Sequence, residues 1–381
     1  MAKIRFLKVT TNYPSYIEHM QSRFSGLQDM PYAKALHTYL NDAYGWADFW
    51  KTNLELTGNF ECGEIVMNVP FLQKKWAEEQ GIRYGTNWVK EILTAQIAEF
   101  KPDVLLLVDL YNDNALSATI KKQVPSIKLL MGWDGILWHK PSTYEHCDVI
   151  LTCVASTVDF YKAAGKTVYY HKFGFEPGIL SRLTKQPKPY HVSFTGSLVP
   201  HPDYHLSRMH AVAELSRRCD MNIWASSVPA NWHILNPTRL YSTVRHRQWR
   251  FGRDLHQVGS KNKGEVFGLD MFNVLYNSKI VFNTHGDNSP RQAANMRMTE
   301  VTGCGALLLT DWKENLHEFF VPDEEVVTYR SIDEAADKIK QLLGNEALRH
   351  KIAVRGQQRT LGEYSYEHRM QQLANFLYNY F

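Results

Sequence analysis

The sequence lacks a strong charge of either sign. Against 43 Lys and Arg stand 39 Asp and Glu, a net of +4 over 381 residues. So small an imbalance gives no electrostatic case for a nucleic-acid partner or a membrane surface. Long apolar runs are also missing. The longest, VLLLV at 104–108 and ALLL at 306–309, fall far short of the ~20 residues of a membrane span. The opening MAKIRFLKVT is too short and too charged for a secretory signal. Cysteine is sparse and unpatterned: Cys62, Cys147, Cys153, Cys219 and Cys304 contain no CxxC, and no His pair lies beside Cys147 and Cys153. An odd, scattered set reads as reduced thiols rather than a disulfide frame or a zinc site. These absences set the expectation of a cytoplasmic chain with no nucleic-acid partner and no membrane span, leaving only peripheral membrane association open.

Several chemical signatures are absent too. Without GxGxxG there is no standard NAD or FAD fingerprint, and without GxxxxGK[ST] no P-loop. No GxSxG or HExxH occurs. No Asp-x-Asp occurs, which argues against a metal-dependent sugar-nucleotide site of the one-domain type. The 16 histidines show no metal-ligand spacing, so no metal site and no bound cofactor are expected.

What is present is the composition of an ordinary globular chain, 44% apolar and 22% charged. At roughly 150 residues per domain its length suggests two domains. Aromatics reach 13%. Flat aromatic faces suit sugar clefts, but ordinary cores use them as well. Short apolar runs recur between helical patterns. In the first half they fall at 4–9, 104–108, 127–131, 149–153 and 167–170, mostly continuous rather than alternating, as in parallel strands buried on both faces. Helical patterns lie between them, as at 86–100 and 156–164. The stretch ILSRLTKQPKPY at 179–190 is basic, carries two prolines and reads as a linker. Beyond it, strands are expected at 191–195, 221–225, 255–258, 279–283, 306–310 and 325–329. Helices are expected at 205–218, 269–277, 290–302, 313–320, 331–343, 346–359 and 363–380. Ser331 and Glu334 form a capping box. Repeated β-α alternation predicts two α/β domains, each with a parallel sheet: 1–180, 190–360, and a last helix over 361–381 returning to the first.

Ligands of open α/β sheets bind at the carboxyl ends of strands, so the strand–loop–helix junctions are the places to look. HVSFTGS at 191–197 runs straight into Gly196 and Ser197, where a glycine lets a ligand approach the backbone or simply makes a tight turn. FNTHGDNSPRQ at 282–292 ends a strand in a polar loop containing His285. Ser289, Pro290 and Gln292 then spell a cap, an N1 proline and an S-x-x-Q box. Arg291 opposes the helix dipole of that expected first turn, unless an anion binds there or it simply faces solvent. Ala294, Met298 and Val301 would form the buried stripe. Arg297 and Glu300 would lie on another face, as a surface ion pair or as cleft groups. Asp311 would cap the next helix.

The stretch 279–369, with KIVFNTHGD, NMRMTEVTGCGALLLTD, FFVPDEEVVTYRSIDEAADKIKQLLGN and YSYEHRMQQL, resembles the donor-binding domain of GT-B glycosyltransferases. It is most similar to the "glycosyl transferases group 1" domain of the CgeB-like (spore-maturation protein) family. The resemblance implies GT-B architecture: two Rossmann-like domains facing across a cleft, with a C-terminal helix crossing back to the first. It implies transfer of a sugar from a nucleoside-diphosphate sugar to a polysaccharide, glycolipid or protein acceptor, without a metal or cofactor. Glu300 matches the glutamate that grips the ribose. Where many relatives carry a second glutamate near the sugar, this chain has Gln292. Arg291 and Arg297 fall where diphosphate-neutralising residues stand. Gly196 and Ser197 match the first donor-domain loop, and His285 and Lys263 join the expected nucleotide-sugar set. The acceptor base is expected at Asp134, with His139 and Asp109 as further candidates, and Trp133 and Trp138 could stack on a sugar. The alternatives are a non-hydrolysing sugar-nucleotide epimerase of the same fold, or a catalytically inactive sugar- or nucleotide-binding protein.

Overall fold

A computed structural model gives the fold, and it describes residues 2–110, 114–135, 141–199, 205–228, 249–287 and 289–381. The chain divides into two compact units, one of Met1–Lys172 with Tyr366–Phe381, the other of Phe173–Ser365.

The first unit runs β1 (Ile4–Thr10), α1 (Pro14–Arg23), α2 (Tyr32–Leu40), α3 (Phe49–Glu55), β2 (Phe60–Val66), α4 (Pro70–Glu79), α5 (Trp88–Phe100), β3 (Val104–Leu107), α6 (Ala115–Gln123), β4 (Leu129–Asp134), β5 (Val149–Thr152), α7 (Ala155–Ala163) and β6 (Thr167–Tyr170). Its sheet has the order β2-β1-β3-β4-β5-β6, with every pairing parallel. The apolar runs VLLL, LLMGWD and VILT are buried along their whole length, as strands covered on both faces must be. At the edge, β2 alternates instead, FECGEIV, and run length alone does not reveal it.

The second unit runs β7 (Tyr190–Ser197), α8 (Leu206–Arg218), β8 (Asn222–Ser226), α9 (Trp249–Lys261), α10 (Gly268–Tyr276), β9 (Ser278–Asn283), α11 (Arg297–Gly303), β10 (Leu307–Asp311), β11 (Val327–Tyr329), α12 (Ile332–Gly344) and α13 (Glu346–Glu363). Its parallel sheet has the order β11-β10-β9-β7-β8. The last helix, α14 (Tyr366–Leu377), belongs to the first unit, where Tyr366 packs its ring 5.1 Å from Phe49 of α3. Part of the expected linker, Pro177–Arg182, forms a 3-10 turn inside the second unit.

Local chemistry accounts for several boundaries. Ser331 caps α12 by accepting from the Glu334 amide at 3.2 Å, while Glu334 returns a bond to the Arg330 amide at 2.8 Å. Gly356 of α13 lies where an added Cβ would strike the Glu325 carbonyl, so only glycine allows that approach.

Three expectations fail. In place of the helix expected at 313–320 there is only a 3-10 turn, Leu316–Glu318, because Lys313, Glu314 and Asn315 bond back to the 290–293 segment. The strand expected at 255–258 is part of α9. Asp254 and Leu255 are buried with Val258, a spacing of three to four that belongs to a helix rather than a strand. The helix expected at 290–302 begins only at Arg297. Ser289 does not cap it, and its hydroxyl donates to the Gln292 carbonyl at 2.6 Å. Tertiary bonds hold 290–293 out of the helix: Lys313 Nζ to the Pro290 carbonyl at 2.8 Å, the Glu314 amide to the Arg291 carbonyl at 3.0 Å, and Asn315 bonding both the amide and the carbonyl of Ala293. A helical turn there would forfeit these bonds, and partnerless buried backbone groups are costly. Ala294 therefore precedes the helix, and only Met298 and Val301 of the expected stripe are buried within it.

Candidate functional site

In an open α/β sheet the ligand crevice forms where neighbouring strands send their connections to opposite sides. In the second unit that switch falls between β7 and β9, because β8 lies on one side of β7 and β9, β10 and β11 on the other. Gly196 and Ser197 end β7, and the loop leaving β9 carries His285.

Polar residues rise through the sheet toward this crevice. Ser193 pairs with Val281, and two residues further along that register Thr195 stands level with Asn283. Asn283 donates to Thr310 Oγ1 at 2.9 Å and accepts from Asn295 at 3.2 Å, while Tyr329 donates to its carbonyl at 3.0 Å. His285 is buried, and its Nδ1 lies 2.7 Å from Asp311 Oδ1. The same carboxylate accepts from the His285 amide at 3.2 Å and pairs with Lys313 Nζ at 3.0 Å. Burial alone would raise the Asp311 carboxyl, but the His285 ring and the Lys313 ammonium outweigh it and hold the carboxyl well below the usual range. Asp311 is thus the partner of His285 and not a helix cap.

On α11, Arg297 Nη1 meets Glu300 Oε2 at 2.8 Å and Met271 Sδ at 3.0 Å. The side chains of the pair are 16% and 9% exposed, so this is no surface ion pair. Gly196 closes on Arg208 of α8, where a Cβ would come within 2.8 Å of the guanidinium. The Arg208 guanidinium also lies over the Phe194 ring at 5.4 Å. Asp287 holds the start of α8 by accepting from the amide and the hydroxyl of Ser207.

Four buried side-chain atoms in these elements have no hydrogen-bond partner among the described residues: Thr195 Oγ1, His285 Nε2, Asn295 Oδ1 and Arg297 Nε. Buried polar atoms are nearly always bonded, so a group of them at a strand-end crevice marks a place for a polar ligand.

The expected site residues therefore separate. Gly196, Ser197, His285, Arg297 and Glu300 lie on elements around the β7/β9 crevice. Gln292 lies in the bent, non-helical segment before α11, with its carbonyl bound by Ser289. Arg291 is 77% exposed and pairs with Glu314 at 2.7 Å, a solvent-facing arrangement. Lys263 reaches back over Trp224 and Tyr190, 5.0 and 5.3 Å from their rings. Tyr190 opens β7, while Trp224 pairs with Thr195 on the neighbouring strand.

In the first unit Asp134 ends β4 with its carboxylate fully buried and accepting from Tyr161 OH at 2.8 Å. A base must meet the acceptor hydroxyl, and this one faces the interior. Trp133 is also buried, edge-on to Trp46 at 4.9 Å. His139 and Trp138 lie outside the described residues. The switch point of this sheet falls between β1 and β3. There half-buried Asp109 accepts from Thr11 at 2.6 Å, and Asn12 and Asn68 bond each other.

The chain as a whole has the GT-B fold of glycosyltransferases. It superposes on sucrose-phosphate synthase from Thermosynechococcus elongatus with a TM-score of 0.59 at 7% identity, covering 99% of each chain. On Anabaena HepE, solved in complex with UDP-glucose, the TM-score is 0.60 at 11% identity, covering 99% of this chain and 100% of that one. On a glycosyltransferase from Rickettsia africae the TM-score is 0.58 at 10% identity, covering 100% and 99%. Residues 208–375, less than half of the chain, match the family model described as glycosyl transferase-like. No match to a curated protein was found. Among the described residues no helix is long and apolar enough to cross a membrane.

Lys313, Thr195 and Asn295 are crevice residues that the sequence reading did not single out, and Asp311 it read only as a helix cap. The signal was present for Asp311, the first polar residue after the buried run ALLLT.

Proposed function

We propose that this protein is a glycosyltransferase that moves a sugar from a nucleoside-diphosphate sugar to a hydroxyl of a carbohydrate, lipid-linked or protein acceptor, with protein cations in place of a metal. The observation that carries the reading is the group of partner-free polar atoms, Thr195 Oγ1, His285 Nε2, Asn295 Oδ1 and Arg297 Nε, at the β7/β9 switch point. On this reading Glu300 accepts from the ribose hydroxyls. The Arg297 guanidinium and the His285 ring face the diphosphate, whose developing charge must be stabilised as it leaves. The first unit takes the acceptor, and Asp109, partly exposed at its own switch point, replaces Asp134 as the candidate base. The uridine nucleotides bound to HepE make UDP sugars the first donors to try.

A thermal-shift screen against UDP, GDP, dTDP, ADP and CMP sugars tests the reading. A true donor at about a hundred times its Kd stabilises the fold by about 2.7 kcal/mol. Release of nucleoside diphosphate only when an acceptor is present identifies a transferase, whereas change of the sugar nucleotide alone identifies an epimerase. Absence of a shift with every donor rejects the proposal.

A further inference from the structure

The pairing of His285 with Asp311 and Lys313 goes further than placing a histidine in the site, and it rests on the donor-site reading above. Asp311 is held ionised and can only accept, so the proton of the 2.7 Å contact sits on His285 Nδ1. The same carboxylate fixes the His285 backbone amide and is fixed in turn by Lys313. Lys313 is anchored to the Pro290 carbonyl at 2.8 Å. The ring is thus held at Nδ1 by a carboxylate that is itself fixed, and its other nitrogen, Nε2, is the buried atom without a partner among the described residues. An Asp-oriented imidazole with one committed nitrogen and one uncommitted nitrogen is an arrangement for presenting Nε2 to a ligand.

We propose that Asp311 and Lys313 are positioning residues that hold His285 so that protonated Nε2 donates a hydrogen bond to the diphosphate of the donor. Asp311 at the end of β10 contacts the ring and Lys313 pairs with Asp311; the other charged or titratable groups on the neighbouring elements are Asp287 in the loop after β9, Arg208 on α8 and the Tyr329 phenol of β11. Asp287 is engaged by Ser207, and burial pushes the Tyr329 phenol well above its ordinary value, so the phenol stays neutral. Imidazolium, Asp311 carboxylate and Lys313 ammonium together leave one net positive charge facing an anionic ligand. In the transfer step the bond between the sugar carbon and the diphosphate oxygen breaks, and its electron pair stays on the diphosphate. The acceptor hydroxyl oxygen bonds that carbon and gives its proton to the acceptor-side base. His285 keeps its proton throughout and stabilises the leaving oxygens.

Calorimetric titration separates this role from a structural one. The probes are the nucleoside-diphosphate sugar that stabilises wild type and the matching free nucleoside. The sugar nucleotide is a diphosphate diester whose own charge is constant between about pH 6 and pH 8.5. Wild-type affinity for the sugar nucleotide is expected to fall about tenfold across that range, while nucleoside affinity stays constant. His285→Asn, which keeps an amide near the Nδ1 position, should lose that tenfold already at the acid end. His285→Gln, with an amide near Nε2, should bind without pH dependence. Asp311→Asn should flatten the profile, because the ring is no longer oriented. If Glu300→Ala weakens binding but both His285 variants match wild type at every pH, the assignment of His285 fails alone. If wild type binds none of the sugar nucleotides, the donor-site reading fails and takes this inference with it.

Discussion

Both sheets admit charged and polar side chains, and the two treat them differently. In the first unit the buried charges are paired within the protein, although other buried polar atoms there, such as Trp50 Nε1, Gln73 Oε1, Gln96 Oε1 and Thr157 Oγ1, have no hydrogen-bond partner among the described residues. Lys8 and Glu64 are direct partners across β1 and β2, 3.2 Å apart and almost wholly buried, and Lys8 Nζ also donates to the Ala47 carbonyl and lies 5.5 Å from the Trp46 and Trp50 rings. Asp134 is met by Tyr161. In the second unit the polar column ends in atoms with no protein partner, beside a histidine oriented by a carboxylate. Burial alone therefore does not mark a functional site. A satisfied buried charge holds a fold together, and an unsatisfied one at a strand-end crevice awaits a ligand.

The comparison is broken most severely at Glu64. Burial pushes its carboxyl up to about 7 against the pull of Lys8, and burial likewise lowers Lys8. Glu64→Ala would leave Lys8 buried without its counter-charge, at a cost of about 3–5 kcal/mol in denaturant melts. An unchanged midpoint would show that the pair contributes nothing.

His171 offers the next largest effect. It is buried among Trp50, Trp133 and Tyr169, and burial, with Arg369 and Lys8 nearby, lowers its ring to about 3. The folded value lies below the ordinary 6.5, so the unfolded chain binds the extra proton between the two. Stability should fall as pH drops from about 6.5 toward 3, by on the order of a few kcal/mol. Melting curves of wild type and His171→Phe across that range check this, and parallel curves would exclude His171 as the cause.

In the second unit, Glu300→Ala should weaken nucleoside-diphosphate binding by about 1.5–3 kcal/mol, the range of a charged hydrogen bond. Its melting temperature without ligand serves as the control for the lost Arg297 contact. Calorimetry showing wild-type affinity would remove Glu300 from the site. The smallest effect is expected at Arg291. Its guanidinium is exposed and its Glu314 contact lies at the surface, so Arg291→Ala should leave both donor affinity and melting temperature unchanged. A clear loss of affinity would restore it to the site.

Much of the fold was legible because most of its strands are continuous apolar runs and, at Ser331, a side-chain cap marks a helix start. The failures came where distant contacts overrode local pattern. Ser289, Pro290 and Gln292 spell a helix start, yet Lys313, Glu314 and Asn315 claim that backbone first. At 255–258 a window of four residues was too short to separate a period of 3.6 from a strand. Within the candidate site, Gly196, His285 and Glu300 could be found from motifs at strand ends. Asp311 was visible as a polar strand end, but its partnership with His285 and Lys313 was not, since it depends on His285 turning toward it from a loop 26 residues away in the chain.

The return of α14 to the first unit bears on how the molecule is made. Residues 173–365 are contiguous, so the second unit can close as soon as its own stretch has left the ribosome. The first unit is begun earlier and finished later. Until Tyr366 and the apolar face of α14 emerge, the Phe49 side of α3 stays uncovered. During synthesis the N-terminal unit is therefore the last to become complete, and it exposes apolar surface to chaperones for longest.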